Sequence, residues 1–147
     1  RTMAEIAEET ERHIDYAKRF RTNEFVIHDR VDAISHATCG MAIDIGAKVI
    51  VVTSMSGMTV RMVSRFRAPT DIVGMATNKR VWYKLSLSWG VLPVLSEQFN
   101  STDVLFYHAL RAARDTMHLQ PGDNVVMTGG ITNGKSGNTN LIKIEAV

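Results

Sequence analysis

Val49-Ile50-Val51-Val52-Thr53-Ser54-Met55-Ser56-Gly57-Met58-Thr59-Val60-Arg61 is the stretch that decides the fold: an apolar strand runs into a short hydroxyl-rich loop and then into a helix. Residues such as Val49-Ile50-Val51-Val52 are apolar on both faces, which is what a parallel sheet covered by helices on both sides requires. With Thr59 to Phe66 helical, the amides of the first turn lack intrahelical acceptors, and their partial positive charge favours an anion. Ser54, Ser56 and Thr59 add hydroxyl donors, and Gly57 lets the backbone approach a ligand closely. An ordinary strand-to-helix turn, with Ser and Thr serving only as caps, accounts for the same residues. At this level both readings stand.

Outward from this unit the rhythm repeats. Lys48 to Thr53, Asp71 to Ala76, Val91 to Leu95 and Asp123 to Thr128 read as strands, with helices near Thr59 to Phe66, Lys79 to Leu87 and Thr102 to His118 between them. Asn78 caps the second of these helices and Gly90 ends it, while Pro69 and Pro121 punctuate the entries to strands. The last strand, Asn140 to Glu145, follows after only Gly129 to Thr139. A parallel return needs a longer, usually helical crossover, so this strand is expected to lie antiparallel beside its neighbour. Upstream, Ile6, Thr10, Ile14 and Ala17 fall at helical spacing, and Thr2 to Phe20 reads as one amphipathic helix. A polar connector, Arg21 to His28, leads to Asp29 as the cap of a second helix, marked by Val31, Ile34, Thr38, Met41 and Ile45 and stopped at Gly46. The expected architecture is α/β, a three-layer α/β/α sandwich on a five-stranded, mostly parallel sheet with an antiparallel last strand.

Composition narrows the function classes. The 147 residues, 45% apolar and 22% charged, suit one domain spanning 1–147. Seventeen Lys and Arg against 15 Asp and Glu leave a charge of +2, far from the concentrated basic patch of a dedicated nucleic-acid binder. Cys39 is the single cysteine, so neither an internal disulfide nor a cysteine-rich metal site can form, and a reducing, cytoplasmic setting is expected. No apolar run has the length of a bilayer span, so the expectation is a soluble protein without a membrane partner. The chain opens at Arg1 inside an already helical pattern, as a piece of a longer protein would.

Gly129-Gly130-Ile131-Thr132-Asn133-Gly134-Lys135-Ser136 satisfies the Walker A pattern and taken alone suggests a stand-alone nucleotide-binding kinase. That chemistry needs the loop to open into a helix, whereas Gly137-Asn138-Thr139 and a terminal strand follow, and only Glu145 remains as a downstream acid. The match is read as a coincidence. The loop still offers glycines for close approach and Lys135 as a mobile charge for phosphate. It leaves the carboxyl end of its strand, as the Ser54 to Thr59 loop does, so the two can converge on one anion. His28 and His36 have no partners at metal-ligand spacing. Arg61 and Arg65 read as one solvated helix face; Trp82, Tyr83, Trp89 and Tyr107 read as packing residues in helices; Cys39 reads as inert. No Ser/His/Asp or Cys/His catalytic constellation assembles.

Taken in order, Thr53-Ser54-Met55-Ser56-Gly57-Met58-Thr59-Val60-Arg61, Gly90-Val91-Leu92-Pro93, Pro121-Gly122-Asp123 and Ser136-Gly137-Asn138-Thr139-Asn140 resemble the C-terminal domain of pyruvate kinase, in its bacterial form. Met3-Ala4-Glu5-Ile6-Ala7-Glu8-Glu9-Thr10-Glu11 is similar to the helix that joins that domain to the catalytic barrel. The resemblance spans essentially the whole chain and implies the same five-stranded fold. It also implies that phosphoryl transfer from phosphoenolpyruvate to ADP, with magnesium and usually potassium, takes place in the barrel of the parent enzyme. This domain would hold no catalytic residue, metal or cofactor and would be inactive alone. Its implied role is regulatory: binding an effector, commonly fructose 1,6-bisphosphate, and contributing to a tetramer.

The family's phosphate loop falls on Ser54, Met55, Ser56, Gly57, Met58 and Thr59, with Met55 and Met58 standing where several members carry hydroxyl residues. Members known for bisphosphate binding also carry a Trp and an Arg near the start of the last long helix, and Asn100 to His108 offers neither. That departure opens the site to a sugar monophosphate or a nucleotide monophosphate, with Gly134, Lys135, Ser136 and Gly137 as the second effector loop. A purely structural assembly module, with loops that bind nothing, is the remaining alternative.

Overall fold

The computed structural model describes residues 2–130 and 138–147. Along them run α1 (Thr2–Arg12), α2 (Tyr16–Thr22), α3 (Arg30–Asp44), β1 (Val49–Thr53), α4 (Met58–Arg65), β2 (Asp71–Ala76), α5 (Lys79–Leu85), β3 (Val91–Leu95), α6 (Thr102–Met117), β4 (Asn124–Gly130) and β5 (Thr139–Ala146). The strands form one sheet in the order β3-β2-β1-β4-β5. β1 to β4 run parallel, with Val49 opposite Asp71 on one side and Val125 on the other. β5 returns antiparallel on β4, from Thr139 opposite Gly130 to Ala146 opposite Asn124, with a bulge between Gly129 and Gly130. The short connection after β4 thus produces the antiparallel edge that its length predicts.

β1 is buried along its whole length, and its alternating side chains divide between two cores. Ile50 and Val52 pack with Cys39, Ala42, Val60, Val63, Phe66 and Leu85 under α3, α4 and α5. Val49 and Val51 pack with Phe106, Ala109 and Ala113 of α6 on the opposite face. Small residues on α3, among them Ser35, Cys39 and Ala42, let α4 approach closely, and the Cys39 thiol donates to the Val63 carbonyl at 3.7 Å. Burial pushes that thiol up to about 12 from 9.0, which keeps it protonated and unreactive near neutrality.

Residues 2–20 do not form the single helix that their spacing predicts. Asp15 takes the N-cap of α2, its carboxylate accepting the Lys18 amide at 2.9 Å, and a short acidic side chain in that role starts a new helix rather than continuing an old one. No core rewards the predicted stripe either: no residue of α1 is buried, and Ile6 is 61% exposed. Trp89 also departs from expectation, lying in the turn after α5 instead of a helix. Its indole N–H donates to Glu11 at 2.8 Å, its ring meets Tyr16 at 4.9 Å, and the Arg67 guanidinium sits 5.1 Å over it. The solvated face assigned to Arg61 and Arg65 holds only in part. Arg65 reaches across to α3 and pairs at 3.1 Å with Asp32, a carboxylate 6% exposed that also accepts the His28 amide.

Candidate functional site

Sheet topology alone gathers the polar machinery on one edge. α4, α5 and α6 each begin where a parallel strand ends, and α3 begins there too because it runs back to the start of β1. β5, being antiparallel, starts on the same edge. The positive ends of four helices therefore face the side where the β1 loop and the β4 loop emerge.

The β1 loop is built by its own side chains. Ser54 Oγ accepts the Gly57 amide at 3.1 Å and Ser56 Oγ accepts the Met58 amide at 3.4 Å, while the Ser54 amide donates to the Met75 carbonyl at 3.4 Å. Gly57 occupies the N-cap of α4 at φ 75°, in the left-handed region. A Cβ there would lie 2.9 Å from Val81 of α5, so the position excludes side chains both by dihedral and by space. Met55 and Met58 point outward, 38% and 47% exposed. Both serines hold amides of their own turn, whereas the N-cap itself is Gly57 and α4 has no side-chain cap bond, so the helix-cap role that the simple turn assigned to them is not what they perform. A hydroxyl that accepts still has its own proton to donate, so neither serine is thereby lost to a ligand.

Thr59 is placed differently. It is 2% exposed, and its hydroxyl lies 2.6 Å from that of Thr139 at the start of β5. Beside it Thr53 donates to the Thr128 carbonyl at 3.4 Å, and Thr128 donates to the Leu141 carbonyl at 2.9 Å. Gly129 is required here because a Cβ would collide with the Thr53 hydroxyl. Threonine hydroxyls thus fasten β1, β4, β5 and α4 together at the carboxyl edge. Gly134, Lys135, Ser136 and Gly137 lie outside the described residues, as does most of the Walker-like stretch. The chain enters strand β5 at Thr139, where a nucleotide-binding loop would need a helix.

A cleft of about 360 Å³, not foreseen from sequence, opens beside this edge between the N-cap Asp29 with Arg30, Val31 and Ile34 of α3 and Asn138, Thr139 and Asn140. Asp29 is legible as a cap, but its nearness to Thr139 arises only when β5 folds back. His36 stacks on Phe20 at 4.8 Å and meets Phe25 and Phe66, a packing role. Among the described residues no group of three or more His, Cys, Asp or Glu could hold a metal ion, and no helix is long and apolar enough to cross a membrane.

Residues 32–145 match the model of the pyruvate kinase alpha/beta domain. The chain belongs to that family. It is 36% identical to the pyruvate kinase of Clostridium acetobutylicum, over 99% of the chain and 31% of that relative. It is 31% identical to the pyruvate kinase of Lactobacillus delbrueckii subsp. bulgaricus and 32% identical to that of Staphylococcus saprophyticus, in each case over 25% of the relative's length. The chain therefore spans between a quarter and a third of these relatives. The fold read from the strand and helix pattern is the family's fold, and the resemblance carried by residues 53–61, 90–93, 121–123 and 136–140 is a family relationship.

Proposed function

We propose that this chain is the regulatory, effector-binding domain of a pyruvate kinase and that a phosphorylated sugar binds at residues 54–59. The observation that carries the reading is the loop leading into α4, where Ser54 and Ser56 accept from their own loop amides and keep hydroxyl protons for an anion at the positive end of the helix. The parent enzyme, in this reading, transfers a phosphoryl group from phosphoenolpyruvate to ADP, giving pyruvate and ATP in glycolysis. That reaction, with its magnesium and potassium, belongs to a catalytic barrel outside these residues, and the described residues offer no cluster fit to hold a metal. The ligand is fructose 1,6-bisphosphate or a sugar or nucleotide monophosphate, with Lys135 as a second phosphate contact. Binding would bias the packing of subunits.

Assembly with further copies is supported by the two edges of the sheet. β3 carries Pro93, which blunts pairing, whereas β5 presents eight residues without proline. The ligand half is tested by calorimetric titration of sugar phosphates into the chain and its Ser56→Ala variant. Hydrogen bonds to charged groups contribute about 1.5–3 kcal/mol, so affinity is expected to fall roughly tenfold or more. An unchanged affinity would remove Ser56 from the site, and the absence of binding by the unaltered chain would overturn the effector reading.

A further inference from the structure

We infer that the outward face of α5, with Tyr83 and Leu87 at its centre and Arg80 and Lys84 at its rim, is the surface on which this domain seats the rest of its own enzyme, and that the surface it meets is apolar and rimmed with carboxylates. The inference goes beyond the effector site; it rests on the family and on the reading that the chain is one domain of a longer pyruvate kinase. The inner side of α5 packs as expected: Leu85 is buried, Val81 and Trp82 lie against the same core, and the Trp82 indole donates to the Pro93 carbonyl at 2.9 Å. The outer side departs from the packing role that Tyr83 has by residue type. Arg80, Tyr83, Lys84 and Leu87 fall at the spacing of one helical stripe, which runs past the end of α5 because the Leu87 amide still bonds the Lys84 carbonyl at 3.3 Å. Tyr83 is 64% exposed and Leu87 91%, the greatest exposure of any large apolar side chain among the described residues. A solvent-facing helix side is normally polar, and large apolar neighbours set between cations mark a contact surface. Lys79, Arg80 and Lys84 face no acid on α5, and none of the three is in an ion pair among the described residues. An apolar centre with a charged rim is the anatomy of a protein contact, and the sign of the rim sets the sign of the partner.

Two observations say what covers this face. The alpha/beta domain model matches residues 32–145, whereas whole pyruvate kinases match 99% and 100% of the chain, so α1 and α2 belong to the enzyme but lie outside that domain. This preceding segment is fastened beside the stripe: Glu11 accepts the Trp89 indole N–H and Tyr16 packs on its ring, two residues beyond Leu87. The part of the enzyme to which α1 belongs is thereby held on the side where Leu87 projects. Docking there removes Tyr83 and Leu87 from water, and the cations align the contact.

The test is hydroxyl-radical footprinting, which reads side-chain exposure directly, on the intact pyruvate kinase and on the 147-residue chain. Tyr83 and Leu87 are expected to react about fivefold more slowly in the intact enzyme, as side chains in the centre of a contact do. In the intact enzyme, Leu87→Asp is expected to return Tyr83 to its rate in the isolated chain, because it sets a carboxylate against a partner of the same sign. In the isolated chain the same substitution leaves the melting temperature unchanged, since Leu87 stands in solvent there. Should the Leu87→Asp enzyme not fold, Lys84→Glu decides and is expected to speed Tyr83 modification about twofold. Equal rates for Tyr83 and Leu87 in both proteins would show the face uncovered and overturn the inference, as would a slowed Tyr83 that neither substitution changes. Slowing that appears in the isolated chain as its concentration rises would assign the face to a second copy and also overturn it. No ligand enters these measurements, so a failed effector reading leaves them standing, whereas an intact enzyme without phosphoryl transfer from phosphoenolpyruvate to ADP would overturn the pyruvate kinase reading itself.

Discussion

Gly57 shows how one residue serves both backbone and packing. Its φ of 75° is a conformation in which a Cβ is strained, and the space a Cβ would take is bounded by Val81 at 2.9 Å and Leu85 at 3.2 Å. Gly57→Ala is therefore expected to destabilise the chain by about 1–3 kcal/mol, measured by urea denaturation, and to displace the loop that carries Ser54 and Ser56. A loss below about 0.5 kcal/mol would mean that the turn relaxes into another conformation. The glycine was legible in the sequence as a loop residue that admits close approach. What approaches it was not, because α5 comes alongside only in the folded sheet. Thr59 gives the opposite lesson. Its residue type announces a hydroxyl donor, but neither its burial nor the partner hydroxyl 80 positions away is legible in the sequence.

At the scale of elements, the strands and helices from α3 to β5 follow from apolar runs, caps and breakers. Asp29, Asn78, Gly46 and Gly90 lie where their chemistry predicts, and β2 and β3 match their sequence bounds. The exception is the first segment, where the 3.6-residue period of apolar positions continues through residues that the backbone uses as a break. Periodicity reports what a helix would bury if it formed, and α1 buries nothing. The bond from Trp89 to Glu11 ties the end of α1 to the turn after α5. Glu11→Ala is accordingly expected to raise amide hydrogen exchange throughout α1 while changing global stability by about 0.5 kcal/mol or less, as suits an exposed contact. Exchange in α1 equal to that of the unaltered chain would show that other contacts hold the helix.

For the whole molecule, the two edges of the sheet carry different consequences. Pro93 removes a donor from β3, whereas β5 offers Ile144 at 47% exposure and a strand free of proline. If β5 is where copies meet, sedimentation velocity is expected to show association that strengthens with concentration, and Ile144→Lys to shift it toward the monomer by placing a charge in the contact. A monomer at every concentration, or an unaltered equilibrium in the variant, would move the assembly surface elsewhere. The same sheet explains why one edge of the molecule carries the chemistry: parallel strands force the helix starts to a common side, and the antiparallel return brings the start of β5 to join them.

The sequence by itself determined the fold class, the order and type of nearly every element, the antiparallel last strand and the family, since apolar periodicity, caps and connection length are local properties that survive in a string of letters. Tertiary structure alone decided that Arg65 covers the buried Asp32, that Trp89 reaches Glu11 at the end of α1, and that the Thr59 hydroxyl meets that of Thr139. Each of these joins residues distant in the chain, and whether a polar group faces solvent, a ligand or another part of the chain depends on what the folded sheet places against it.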